Sequence, residues 1–277
     1  MNHNIKKTKK SLLFLAEFKN KKIEFKNLDI KDFSLKGSHN FIVIKTFSDK
    51  ELIDEVCKKY KTFNFLEENK NSLKERSKVQ YFKNYFKVSI KYYFYKKEVL
   101  KNENIILIVG DNFTLLFCKD EKLLEMFCQK GFLNEIEEVE SITPLMFFYI
   151  FINFLTRTHG EALDILDSRI HALDSVISNS DSTQAQIDSY NLLIKDIHEL
   201  LIDSRPLREL QLSFEEESFQ HKAELASYVY FNTYNIITNY LNLLDYKRGH
   251  LINLKDFIST NLNNRLATVA QFLAVAA

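Results

Sequence analysis

Residues 230–277 read YFNTYNIITNYLNLLDYKRGHLINLKDFISTNLNNRLATVAQFLAVAA. One face of this stretch carries Tyr230, Tyr234, Ile237, Leu241, Leu244, Leu251, Ile258, Leu262, Val269, Phe272 and Ala276, with Arg248, Lys255 and Arg265 in the same register. The alternating 3–4 spacing is the seam of a heptad helix, interrupted by three basic residues. The helical pattern begins near Glu217, which predicts a rod of about 60 residues and roughly 90 Å. Self-association is the expected way to bury so long an edge. From Leu266 the sequence turns small and apolar without a capping signal, the expected approach of a helix to a membrane. That stub is shorter than the about 20 apolar residues a membrane span requires.

Working outward, the preceding segment also reads as helix. Only Pro144 and Pro206 occur in the chain, and each marks a helix start or kink because proline lacks an N–H. Apolar residues recur from Pro144 past Gly160 through Leu163, Leu166, Ile170, Leu173 and Ile177. The apolar run Leu145–Leu155 is about half a membrane span and reads as the buried face of a domain helix. Ser178–Thr183 supplies a turn with several N-caps. A second helix through Ile187, Ile194, Ile197 and Leu201 meets Pro206, where a kink is expected.

The first half mixes strand and helix signals. Asn40–Phe47 is a compact strand, and Ser48-Asp-Lys-Glu51 predicts a capping box opening a helix with Leu52, Ile53, Val56 and Tyr60 on its apolar side. Lys78–Tyr95 is rich in Tyr, Phe and Val with rough alternation. Ile105–Val109, Gly110-Asp-Asn and Phe113–Cys118 predict a hairpin with the glycine supplying the tight turn. Glu121–Gln129 reads as a helix. The expected fold is therefore α+β or α/β: an N-terminal mixed or antiparallel sheet with flanking helices, then long antiparallel helices and a very long C-terminal stalk helix. The expected divisions are a basic tail and lead-in at 1–18, an α/β domain at 19–140, a long-helix hairpin at 141–216 and the stalk at 217–277.

Composition narrows the function. Lys and Arg number 38 against 37 Asp and Glu, a net charge of +1, so neither nucleic acid nor an acidic tail is implied. Cys57, Cys118 and Cys128 form no CxxC pair and are expected to be reduced. The basic amino terminus leads into no signal-peptide core, because Glu17 interrupts the short run Leu12–Ala16. No dinucleotide, phosphate-loop, nucleophile-elbow or HExxH motif occurs, and the seven histidines lack metal-ligand spacing. An enzyme is not expected. Glu215–Glu217 and Glu135–Glu140 read as a solvated helix start and an acidic linker.

Three segments carry a likeness to a known family. Leu66-Glu-Glu68 followed by Arg76-Ser-Lys-Val-Gln-Tyr-Phe82 and Tyr85 resembles a "LED … RPKVE … Y" segment. Pro206-Leu-Arg-Glu209 is similar to "PLRE", and Phe257-Ile-Ser259 with Asn263-Asn-Arg-Leu266 to "YLS … SNRLNEVMK". In that order and spacing they resemble the cytoplasmic part of the CorA family of divalent-cation transporters, including its ZntB-like zinc branch.

The resemblance implies a homopentamer at the cell inner membrane, with this portion facing the cytoplasm and the stalk leading into the first membrane helix. It implies cation sensing between subunits, with Mg2+, or Zn2+, Co2+ or Ni2+, as the ion. Carried over by position, the metal site comprises Glu67, Glu68, Asn153 and Asn232, two carboxylates and two amides, so weaker binding of a hard cation is implied. The implied pore-lining positions are Asp256, Ala267, Ala270 and Leu273. The family's Gly-Met-Asn loop follows the first membrane helix and is not in the sequence, so the expectation is a sensor and gate without a complete pore. The rival expectation is a soluble coiled-coil scaffold with no transport role.

Overall fold

The computed structural model describes residues 13–19, 22–27, 39–64, 77–130, 142–179, 183–215 and 227–276. Its strands are β1 (Leu13–Lys19), β2 (Lys22–Asn27), β3 (Asn40–Ile44), β4 (Lys78–Tyr81), β5 (Tyr85–Lys96), β6 (Val99–Gly110) and β7 (Phe113–Cys118). They form one sheet in the order β2-β1-β3-β7-β6-β5-β4. Every neighbouring pair is antiparallel except β3 with β7, which is parallel. The expected mixed sheet is therefore present. The β1–β2 pair adds two strands that the sequence reading did not assign.

Alternation along the central strands sorts side chains onto two faces. Ile42, Ile44, Ile106, Ile108, Leu115 and Phe117 meet Ile53, Val56, Cys57 and Tyr60 of α1 (Lys50–Tyr60). Phe41, Val43, Ile105, Leu107, Val109 and Leu116 belong to the larger core. That core includes α2 (Glu121–Lys130) and α3 (Pro144–Asn179). The run Phe147–Ile152 is 0–1 % exposed, so the apolar stretch at 145–155 is domain core, as expected. Phe127 lies edge-on to Phe147 and Phe151, at 5.8 and 4.9 Å between ring centroids.

Two local readings are corrected. The cap of α1 is Asp49 rather than Ser48: Asp49 Oδ1 accepts from Leu52 N at 3.1 Å. Thr46 Oγ1 accepts from the backbone N–H groups of Ser48 and Asp49 at 3.1 and 3.3 Å, which places Ser48 inside the preceding turn. Gly110 does end β6 as expected, but its φ is not positive. A Cβ there would run into the Phe113 ring, so close approach rather than left-handed backbone requires glycine.

Left-handed backbone occurs instead at Lys97 and Glu98, φ 50° and 63°, between β5 and β6, whose register runs from Tyr85↔Gly110 to Lys96↔Val99. Two such residues in a two-residue hairpin loop follow the twist of the strands. The sequence holds none of the usual turn residues here, so this hairpin was not legible.

The second half comprises α3, α4 (Gln184–Asp203), α5 (Arg205–Glu215) and α6 (Ser227–Ala276). Thr183 opens α4 with a reciprocal capping box to Gln186, as the turn signals predict. Arg169 of α3 meets Asp196 of α4, consistent with an antiparallel pair. Among the described residues no helix is long and apolar enough to cross a membrane.

Replacing Lys97-Glu98 by Asn-Gly should stabilise the protein by about 1 kcal/mol, because both positions then tolerate the left-handed region. A thermal unfolding midpoint unchanged or lowered in the double variant contradicts that account.

Candidate functional site

A buried carboxylate lies where α4 ends and α5 begins. Ser204 separates the two helices, and its carbonyl accepts from Leu207 N and Arg208 N at 3.0 and 3.1 Å, restarting the turn. Pro206 sits in the first turn of α5, where its missing N–H costs nothing. This is the break expected at that proline.

Asp203 is the last residue of α4, an end where the helix dipole disfavours an anion, and its side chain is 8 % exposed. Three donors from the sheet side compensate. Lys91 Nζ lies at 2.8 Å, Ser77 Oγ at 2.9 Å, and the Tyr93 hydroxyl donates to the same carboxylate. Two turns earlier, Asp196 accepts from the Tyr95 hydroxyl at 2.9 Å and from Arg169 Nη1 at 3.2 Å. Lys91, Tyr93 and Tyr95 alternate along β5, spanning about 13 Å. Residues 196–203 span about 10 Å of helix, so strand and helix are matched in length.

Two of the segments that carry the family likeness meet here, one through Ser77 and Val79 and the other through Pro206–Glu209. Ser77 bonds Asp203, and Val79 N donates to Glu209 Oε2 at 3.0 Å, which ties edge strand β4 to α5. Within Pro206–Glu209, Leu207 is fully buried. Arg208 Nη2 reaches Asp245 of α6 at 2.7 Å. Both partners are about half exposed, so this bridge is worth at most about 1 kcal/mol. The four residues thus break a helix, fill the core, touch the stalk and cap the sheet edge.

His159 of α3 lies between Tyr93 and Tyr240, at 6.0 and 5.8 Å between ring centroids. It is buried and its Nε2 has no hydrogen-bond partner. Burial pushes its pKa down to about 4, opposed by a hydrogen bond to the Lys91 backbone and by the charge of Asp203. The hydroxyls of Tyr93 and Tyr240 are pushed up, chiefly by burial and further by Asp203. Cys57, Cys118 and Cys128 are free, as expected, and burial pushes the Cys118 thiol up to about 12, far from the thiolate needed for reactivity.

Glu67 and Glu68 of the expected metal site lie outside the described residues. Asn153 is in α3 and 1 % exposed, while Asn232 is half-buried in α6. Tyr149 and Tyr230, one turn and two residues before them, are in ring contact at 6.1 Å. The two amides therefore stand at one level of the α3–α6 contact. Among the described residues no three His, Cys, Asp or Glu side chains converge on a point that holds a metal.

The helices α3 and α6 run parallel: Tyr149 meets Tyr230, His159 meets Tyr240, and Asp167 meets Lys247. This corrects the expected role of the seam. Ile237, Leu241, Leu244, Leu251 and Ile258 are buried, but within their own subunit and together with Tyr240, Lys247 and Leu254. Arg248, Lys255 and Arg265 lie off that packed face and are exposed. The heptad pattern could not reveal that α3 and α4 of the same chain fill it.

From Asn263 onward α6 is exposed on all sides, including Leu266, Val269, Phe272, Leu273 and Val275. Asp256, Ala267 and Ala270 are all exposed. They share a sector of about 60°, whereas Leu273 is turned about 100° from Asp256 on a straight helix.

Asp203→Ala leaves the Lys91 ammonium and the Tyr93 hydroxyl without their shared acceptor, and should cost about 3 kcal/mol in urea unfolding. A loss below about 1 kcal/mol contradicts the central place of this carboxylate. For His159 the folded pKa lies below the unfolded value, so the unfolded chain binds the extra proton. Its contribution is present above about pH 6.5 and is lost as pH falls toward 4, by up to about 3 kcal/mol. A His159→Phe variant should show a shallower loss of stability across that window, and an unchanged slope would remove His159 as its source.

No family model matches the sequence, and no curated protein matches it. Solved structures do. The complete CorA magnesium transporter from Methanocaldococcus jannaschii aligns at TM-score 0.70 and 12 % identity over 96 % of this chain and 81 % of that one. The full-length CmaX protein aligns at TM-score 0.72 and 10 % identity over the same shares. The ZntB cytoplasmic domain from Vibrio parahaemolyticus aligns at TM-score 0.62 and 10 % identity over 92 % of this chain and 99 % of that one. The mixed seven-stranded sheet, its flanking helices and the long carboxy-terminal helix are thus the fold of the CorA soluble domain.

Proposed function

We propose that this chain is the cytoplasmic sensing and gating part of a CorA-like divalent-cation transporter, a homopentamer at the inner membrane with this portion facing the cytoplasm. The observation that carries the reading is the alignment of 96 % of the chain, stalk included, with a complete magnesium transporter. Mg2+ is the first candidate ion, with Zn2+, Co2+ or Ni2+ as alternatives. Glu67, Glu68, Asn153 and Asn232 are the proposed sensing ligands, and Asp256, Ala267, Ala270 and Leu273 the proposed axial positions. Support for the axial placement comes from their exposure on α6, away from the face packed on α3 and α4. The bare apolar end of α6 has the character expected of a helix approaching a bilayer. A cation that binds the closed assembly better than the open one shifts the equilibrium toward closure.

The scaffold reading rested on an unfilled heptad seam, and that seam packs within its own subunit as far as Ile258. It retains no specific observation in its favour.

Size-exclusion chromatography with light scattering, with and without millimolar Mg2+, should show a pentamer that the cation favours. A strictly monomeric, Mg2+-indifferent chain would overturn the sensor reading. Asp256→Ala should leave assembly intact, since an exposed axial carboxylate holds no contact between subunits. Dissociation of that variant would displace Asp256 from the axis.

A further inference from the structure

The α3–α6 contact holds a second cluster of chemistry-bearing groups, about three turns beyond His159. On α3, Asp167, His171 and Asp174 follow at i, i+4 and i+7 and share one stripe; on α6, Lys247 and His250 face it. His171 Nε2 lies 3.3 Å from Asp167 Oδ1, and His250 Nε2 lies 3.3 Å across the helix contact from Asp174 Oδ2. Lys247 Nζ is hydrogen-bonded to Asp167. The two imidazole rings are 5.5 Å apart between centroids, inclined at 61°.

Each imidazole is therefore held by a carboxylate at the same nitrogen. A neutral ring makes that bond only with its proton on Nε2, which leaves a lone pair on Nδ1. For His250 that Nδ1 is buried and has no hydrogen-bond partner. A carboxylate fixing one nitrogen while the other stays free is the arrangement that orients histidine toward a metal. Two histidines on one tetrahedral ion, with metal–nitrogen bonds near 2.0–2.1 Å, have ring centroids about 5 Å apart, close to the spacing here. With neutral imidazoles, Asp167, Asp174 and Lys247 sum to one negative charge, which favours a cation. Among the described residues no third ligand converges; the exposed side of His171 leaves the remaining positions open to solvent.

We propose that His171 and His250 form a two-imidazole clip for a divalent first-row transition ion, pinning α6 to α3 within one subunit. Imidazole nitrogen selects Zn2+, Ni2+ or Co2+ over the hard ion Mg2+. The clip is separate from the proposed ligands Glu67, Glu68, Asn153 and Asn232. It also stands apart from the transport reading, since a monomeric, Mg2+-indifferent chain still presents both histidines.

Calorimetric titration of the full chain with ZnCl2, in millimolar MgCl2, tests it. The wild type should bind one equivalent of Zn2+ that His171→Ala and His250→Ala each remove, and that Mg2+ does not displace. Asp174→Asn should keep that equivalent with affinity lowered about 10- to 100-fold. His171 has a side chain 63 % exposed, so His171→Ala should retain the metal-free unfolding midpoint and report on binding alone. Zn2+ binding equal to wild type in both histidine variants would overturn the clip, as would its displacement by Mg2+.

Discussion

A carboxylate taken out of water must be met by donors, and the architecture turns on how Asp203 is met. Its position at the end of α4 adds the unfavourable field of the helix terminus to the cost of burial. Lys91, Tyr93 and Ser77 answer both from the sheet side. Because these donors lie on β5 and just before β4, satisfying one anion fixes the helical layer against the edge of the sheet. Ser204 and Pro206 then turn the chain so that Arg208 and Glu209 point to the stalk and to β4. Tyr240 carries the same polar cluster into α6 through His159. Each element of the second half is thereby positioned relative to β5.

Much of this was legible in the sequence where a local signal had a local cause. Pro206 ended a helix, Thr183 capped one, and an unbroken apolar period carried α3 through Gly160. The Gly110 hairpin was read correctly from the wrong property, since closeness to Phe113 rather than a positive φ requires glycine there. Long-range consequences were less accessible. Lys97-Glu98 looks like continuing strand and is a two-residue turn, because twelve paired residues on each side impose it. The parallel partnership of β3 and β7 has no signature in either strand alone.

The candidate site divides along the same line. The order of the family-like segments could be read along the chain, but not that Ser77 and Val79 touch Asp203 and Glu209. The one available hint was an aspartate at a helix C-terminus, a place where an acid needs a partner. The stalk was the least legible part. A 3–4 apolar spacing states that a helix has a partner, not whose helix that is. Here Lys247 takes a packed position on α6 because Asp167 awaits it, while Arg248 and Lys255 turn outward.

The unsupported end of α6 behaves mechanically as a cantilever. The helix is clamped along roughly 40 Å from Tyr230 to Ile258 and then extends about 20 Å past Asn263 exposed on all sides. Its direction is set by the clamp. A tilt of about 3° set by repacking around Tyr240 or Lys247 would sweep the tip sideways by about 2–3 Å, without any hinge in the free portion. Stiffness, rather than a flexible joint, is what would let a change at the sheet edge be felt at Phe272.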